Sequence, residues 1–249
     1  MGFAREIETA KRAAVAAGKV ALRHQIAGFS IETKPDRSPV TIADRECERL
    51  IAATLSEAFP NDGILGEEGA QKDSHNGRRW IIDPIDGTRD FVRGNYLWCT
   101  LIGLEQENEV VAGVAYFPVL EQIAWASRAE GAFRNGAKLR VSSISERQNC
   151  VALINPDYHV ADSFWARRWL GGTPDAIMVA AGEADIWLEP KVAPWDLAAV
   201  HVILEEAGAV FFDLTGARTI YGGSAVACTP GLEQEVKNLI RGPAKRFTS

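Results

Sequence analysis

The chain has 249 residues, enough to bury one large α/β core or two small ones, and 47% of it is hydrophobic. Its 33 acidic against 27 basic side chains leave a net charge of −6, which argues against a nucleic-acid backbone as partner. The same balance means that any anionic substrate needs local cations to offset the field.

The opening stretch from Ala4 to Gln25 is rich in alanine and free of proline, which favours a long helix. Arg5, Glu6 and Glu8 interrupt it where a signal peptide would need an apolar run. No segment approaches ~18 continuous apolar residues, so the expectation is a cytoplasmic protein with no membrane partner. Ile31-Glu32-Thr33 is extended, Pro35 and Pro39 bracket a loop, and Thr41-Ile42-Ala43-Asp44 precedes a second helix reaching about Phe59. Ile64-Leu65 reads as a strand tip opening into Gly66-Glu67-Glu68-Gly69. Trp80-Ile81-Ile82 is a strand that Pro84 and Gly87 turn sharply. Leu97–Glu105, Val110–Phe117 and Ile123–Ser127 then form an antiparallel meander.

A boundary near Ser142-Ser143 divides an α+β half, residues 1–142, from an α/β half, residues 143–249. In the second half Val151–Ile154, Asp185–Leu188, Val210–Phe212 and Ala225–Cys228 read as strands. Asp175–Ala181, a stretch opened by Pro194-Trp195-Asp196 and ending before Gly208, and Leu232–Ile240 read as helices. The tail from Gly242 carries no pattern. Cys47, Cys99, Cys150 and Cys228 show no CxxC pair and read as buried free thiols of a reducing compartment.

The chemistry concentrates in Trp80-Ile81-Ile82-Asp83-Pro84-Ile85-Asp86-Gly87-Thr88. Two carboxylates three residues apart, followed by a glycine turn, suit hard divalent cations and phosphate oxygens. A structural turn needs one such carboxylate and not both. Glu67-Glu68 and Asp196 supply further acids at strand ends or helix starts, although Asp196 alone, and Asp44 alone, also read as ordinary helix caps. All-oxygen ligands select magnesium or manganese. The four histidines (His24, His75, His159, His201) show no ligand spacing, and there is no GxSxG or GxGxxG. Gly131–Lys138 only brushes the P-loop pattern, since Ala137 takes the lysine position, and reads as a turn. If Gly87-Thr88 opens a helix, its N–H groups can hold a phosphate. Thr88 then orients a water, Asp44 accepts the Thr88 hydroxyl, and Glu67 takes the water's proton. Binding without turnover is the competing class, as a metal or polyol receptor.

These residues resemble the inositol monophosphatase family of magnesium-dependent, lithium-sensitive phosphatases. Thr41–Asp44, Gly66-Glu67-Glu68, Trp80–Thr88, Gly131–Val141 and Pro194–Ala199 carry the likeness through nearly the whole chain. The resemblance implies a layered αβαβα sandwich, α+β in one half and α/β in the other, assembled as a homodimer. It implies two or three Mg2+ ions: Glu67, Asp83, the Ile85 carbonyl and Thr88 around the first, and Asp83, Asp86 and Asp196 around the second. It makes Gly87 and Thr88 the phosphate cradle and Glu189 the contact to the alcohol, against the plain reading of Glu189 as a strand-end acid.

Arg89 and Phe91 after the central motif, with Leu97–Leu104, look more like bacterial histidinol-phosphate phosphatases than the animal inositol enzymes. There Glu189 would meet the substrate amine while Arg89 or Arg93 steers the phosphate. Against this, Gly172 stands where those enzymes carry an acid, and Pro174 removes an aromatic wall. Asp175 either supplies the acid from a shifted position or caps its helix. The expected substrate is thus a small phosphomonoester: L-histidinol phosphate first, inositol 1-phosphate or a sugar or nucleotide monophosphate as the alternative.

Overall fold

The computed structural model describes residues 2–28, 31–33, 39–158 and 164–241; Pro35, His159 and the tail from Gly242 lie outside them. Two helices open the chain, α1 (Ala4–Ala27) and α2 (Ile42–Ala58), around a short hairpin of β1 (Ile31–Thr33) and β2 (Pro39–Thr41). Ala10, Ala13, Ala14, Ala17 and Ala21 form the buried stripe of α1, small enough for α2 and the sheet to approach closely. The first turn of α2 is closed by Thr41, whose Oγ1 accepts from Ala43 N at 3.1 Å while Thr41 N donates to Asp44 Oδ2 at 2.8 Å.

Eight strands follow: β3 (Gly63–Gly66), β4 (Gln71–Lys72), β5 (Arg78–Asp86), β6 (Cys99–Gln106), β7 (Glu109–Phe117), β8 (Gln122–Ser127), β9 (Gly131–Arg134) and β10 (Ala137–Lys138). They build one sheet in the order β10-β9-β8-β7-β6-β5-β3-β4. From β5 to β10 every neighbour is antiparallel, as the meander predicts, while β3 and β5 run parallel. A short helix, α3 (Thr88–Val92), links β5 to β6. The second sheet, ordered β12-β11-β13-β15-β14, comprises β11 (Val151–Ile154), β12 (Ala166–Arg168), β13 (Ile186–Glu189), β14 (Val210–Phe212) and β15 (Ala225–Cys228). Its β11 runs parallel to β12 and β13, and β15 antiparallel to β13 and β14.

Three apolar clusters show the layering. α1 and α2 cover one face of the large sheet, α4 (Thr173–Ala180) and α5 (Pro194–Glu206) fill the space between the sheets, and α6 (Glu233–Arg241) covers the far face of the small one. The architecture is the αβαβα sandwich. Gly103 and Gly113 let α5 press onto β6 and β7: a Cβ on Gly103 would lie 2.6 Å from that of Ala198, and one on Gly113 would lie 2.7 Å from Ala199 O. That contact fixes the start of α5, and with it Asp196, over the end of β5.

Several expectations change in detail. β5 does not stop at Ile82; it continues to Asp86 through a bulge, Asp83 facing Leu101 and Asp86 facing Cys99, so the central motif is bulged strand before it is turn. Gly131–Lys138 is the β9–β10 hairpin, turned at Asn135-Gly136, both with positive φ. α4 starts two residues before Asp175, with Pro174 preset for a first helical turn. β4 and β12, too short to show a period, have no sequence signal. All four cysteines are buried and free, and no described helix is long and apolar enough to cross a membrane.

Candidate active site

Because β3 and β5 are parallel neighbours, the residues following each emerge at the same edge. Gly66 pairs with Ile82, and Glu67 N extends the ladder to Ile82 O at 3.1 Å, which sets Glu67 beside Asp83. Asp83 Oδ1 accepts from Ile85 N at 3.0 Å across the bulge, and Thr100 Oγ1 donates to Pro84 O at 2.9 Å. Gly87 then takes φ +82°, where a Cβ would also meet Leu97 O at 2.9 Å, so only glycine fits. The chain enters α3 at Thr88, and the first N–H groups of a helix have no partner within it.

Carboxylate oxygens of Asp83, Asp86 and Asp196 lie within 4.8 Å of one another. Asp196 comes from the first turn of α5, aimed by its Oδ2 accepting from Ala193 N at 2.7 Å. Asp86 accepts from Thr173 at the start of α4, and the Cys99 thiol lies 3.6 Å from its Oδ2. Burial is the first cause of raised pKa in all three, and mutual repulsion adds to it. Asp83 moves well above the usual carboxylate value, with Glu67, Asp86 and Asp196 contributing, Asp86 reaches about 6 and Asp196 about 7. Like charges crowded together, Asp83 buried and Asp86 and Asp196 half-buried, fit a hard divalent cation, which would restore all of them to the ionised form.

Thr88 Oγ1 is 3.2 Å from Ile85 O and 3.5 Å from Asp44 Oδ1, so the hydroxyl has two acceptors and the expected Asp44 contact is the longer. Asp44 is fully buried; its other oxygen is held by Thr41 N and Oγ1 at 2.8 and 2.6 Å, and burial raises its pKa. One residue the sequence reading missed is Glu48, whose carboxylate binds the turn that carries Glu67. Its signal was an acid one helical turn beyond Asp44, on the apolar face of α2.

The acid cluster opens into a cavity of about 540 Å3 lined by Asp86, Gly87, Thr88, Arg89, Arg93, Trp169, Gly172, Glu189, Lys191 and Asp196, among others. Glu189 ends β13 and is buried, with its pKa raised by that burial. Its Oε2 accepts from Asn155 Nδ2 at 2.6 Å, and its Oε1 from Trp169 Nε1 at 2.6 Å and Gly172 N at 3.3 Å. The aromatic wall judged lost at Pro174 is therefore supplied by Trp169, 45% exposed, together with buried Trp187. Asp175 is fully buried and accepts from Leu170 N and Gly171 N, which makes it the brace of the rim loop. Arg89, Arg93 and Lys191 have no carboxylate partner among the described residues, and Lys191 was not foreseen.

An acidic floor that calls for a metal ion, under a rim of cations with no carboxylate partner among the described residues, is equipment for hydrolysing a phosphoric monoester. The inositol monophosphatase family model matches residues 4–242. A histidinol-phosphatase of Chlorobaculum parvum is 39% identical, over 89% of this chain and 90% of its own. One from Mycobacterium tuberculosis is 40% identical, over 83% and 86%. Among solved structures, the extragenic suppressor protein suhB of Bartonella henselae superposes with a TM-score of 0.87 at 28% identity, covering 96% of this chain and 99% of that one. The chain belongs to the inositol monophosphatase family. It is a metal-dependent phosphoric monoester hydrolase.

Proposed function

We propose that this enzyme is a Mg2+-dependent phosphatase that hydrolyses L-histidinol phosphate to L-histidinol and phosphate by direct in-line attack of water. The convergence of Asp83, Asp86 and Asp196, the last two lining one cavity with Thr88, carries the reading. Those three carboxylates, with Glu67, the Ile85 carbonyl and Thr88, would hold two or three ions, and manganese would serve in place of magnesium. Bound there, the metal neutralises phosphate charge and makes water acidic enough to react near neutral pH.

The protein's own groups do the rest. Thr88 Oγ, with Asp44 as its acceptor, orients the attacking water, and Glu67 takes its proton. Amides at Gly87 and Thr88 receive phosphate oxygens as the helix begins. Arg89, Arg93 and Lys191 draw the dianion in against the net negative field. Lithium is expected to inhibit, as the resemblance implies.

Substrate choice rests on Glu189 and the wall above it. A buried carboxylate beside an indole suits a cationic amine and a flat ring, and two histidinol-phosphatases at 39% and 40% identity support the same alcohol. Inositol 1-phosphate, or a broader set of small monophosphates, is the second reading, favoured by Gly172 where an acid was expected. The test is kcat/KM for L-histidinol phosphate against inositol 1-phosphate with magnesium. A preference above tenfold supports the first reading, and a smaller one leaves a promiscuous phosphatase. Asp86→Asn should abolish phosphate release while the protein stays folded, which a mere receptor would not require. We further propose that the enzyme works as a homodimer; exposed apolar Tyr96, Leu120 and Leu170 around one cavity support this. Sedimentation at micromolar concentration checks it.

A further inference from the structure

Glu48 lies near the middle of α2 and is only 3% exposed, on the face that otherwise buries Ala43, Cys47, Ile51 and Leu55. A carboxylate there gives up its hydration, and strong donors must replace the water. They are main-chain groups of the next element: Glu68 N donates to Oε2 and Ala70 N to Oε1, both at 2.7 Å. Bonds of this kind, with an ionised acceptor, are among the strongest a side chain makes. The turn closes on itself through Gly66 N to Ala70 O at 2.7 Å and remains anchored to β5 through Glu67 N.

Gly66 completes the arrangement. A Cβ at that position would collide with the Glu48 carboxylate, so the glycine makes room for the acid to enter the turn. With Glu48 gripping the amides on either side of Gly69, the turn has one way to present Glu67 towards Asp83.

We propose that Glu48 is a positioning residue for the metal site: it holds the 66–70 turn so that the Glu67 carboxylate stands beside Asp83 before any ion arrives. The inference rests on Glu67 being a ligand. One face of α2 then sets both halves of water activation, with Asp44 reaching Thr88 and Glu48, one turn on, fixing Glu67. A ligand held in place loses less freedom on binding metal, and removing such support weakens metal affinity ~10- to 100-fold.

The experiment compares Glu48→Gln, Gly66→Ala and Glu67→Gln with the parent enzyme. Glu48→Gln keeps the shape but sets an amide NH2 against a main-chain N–H; Gly66→Ala keeps the charge but displaces it. Three quantities are read: the Mn2+ dissociation constant by calorimetry, hydrogen exchange of the 66–70 segment in metal-free protein, and melting temperature. The expected result is Mn2+ binding weakened ~10-fold or more in both the Glu48 and Gly66 variants. Exchange at Glu68 and Ala70 rises at least as much, while substrate KM at saturating magnesium stays within about twofold. A lowered melting temperature with unchanged Mn2+ affinity in both variants overturns the proposal and leaves Glu48 a structural acid. Unchanged affinity in Glu67→Gln would instead remove Glu67 from the ligand set, and the proposal with it.

Discussion

The floor and the rim of the cavity are held in different ways. On the floor, four acids are tied to main chain: Asp83 to Ile85 N, Asp196 to Ala193 N, Asp44 to Thr41 N, and Glu48 to the amides of Glu68 and Ala70, while Asp86 is held by Thr173. On the rim, Glu189 is held largely by the side chains of Trp169 and Asn155, and Arg89, Arg93 and Lys191 have no ion-pair partner among the described residues. A group fixed by backbone moves only if the fold moves. A group fixed by side chains can be exchanged without disturbing anything beneath it. The fold thus commits itself to phosphate and metal and leaves the alcohol negotiable.

The sharpest way to break this contrast is at the floor. Asp83→Asn should lower kcat/KM by ~10^4-fold or more, since one substitution removes charge from the centre of the cluster. Metal-free stability should move the other way, because the variant relieves repulsion among crowded, partly buried acids. The sign follows from linkage. Asp86 and Asp196, at about 6 and about 7 in the folded protein against an ordinary 3.8, hold protons that the unfolded chain has released. Their contribution is full below ~4 and is lost as pH rises through 6 and 7. The metal-free enzyme should accordingly melt several degrees lower at pH 8 than at pH 5. Saturating magnesium should reverse much of that fall, and Asp196→Asn should flatten it. A metal-free melting temperature that rises over this interval, unaffected by either change, would contradict the crowded floor.

The same contrast explains what could be read from the sequence. Asp83, Asp86, Gly87 and Thr88 lie within six residues, and their turn chemistry requires those residue types, so the floor was legible. The individual helices and strands were legible from their periods, and their layering from the resemblance. The bulge that carries Asp86 to Cys99 was not, because a bulge is defined by the partner strand and has no period of its own. Glu48 escaped notice because its donors lie some twenty residues away and only the close approach at Gly66 reveals them. Trp169 was missed for a related reason. Its bond to Glu189 spans 20 residues, across a loop whose path Asp175 sets.

Trp169→Ala tests the rim with a medium-sized effect. The substitution takes one donor from Glu189 Oε1 and removes the aromatic wall, so it should cut the histidinol-to-inositol preference by about tenfold. Turnover of a small aryl phosphate, which needs the floor more than the wall, should fall much less. Equal losses for every substrate would mean that Trp169 supports the floor, and floor and rim would not be separable at that point.

Lys191→Ala should have the smallest effect and decides what the rim cations do. The side chain is exposed, lines the cavity two residues after Glu189, and has no carboxylate partner among the described residues. An exposed cation acting through its field attracts a phosphate dianion by only a few-fold, and salt screens that attraction. KM should therefore rise about threefold at low ionic strength, with kcat unchanged, and the difference from the parent enzyme should vanish near ~0.5 M salt. If the loss persists at high salt, or appears in kcat, Lys191 contacts the substrate at short range, and part of phosphate recognition belongs to the exchangeable rim.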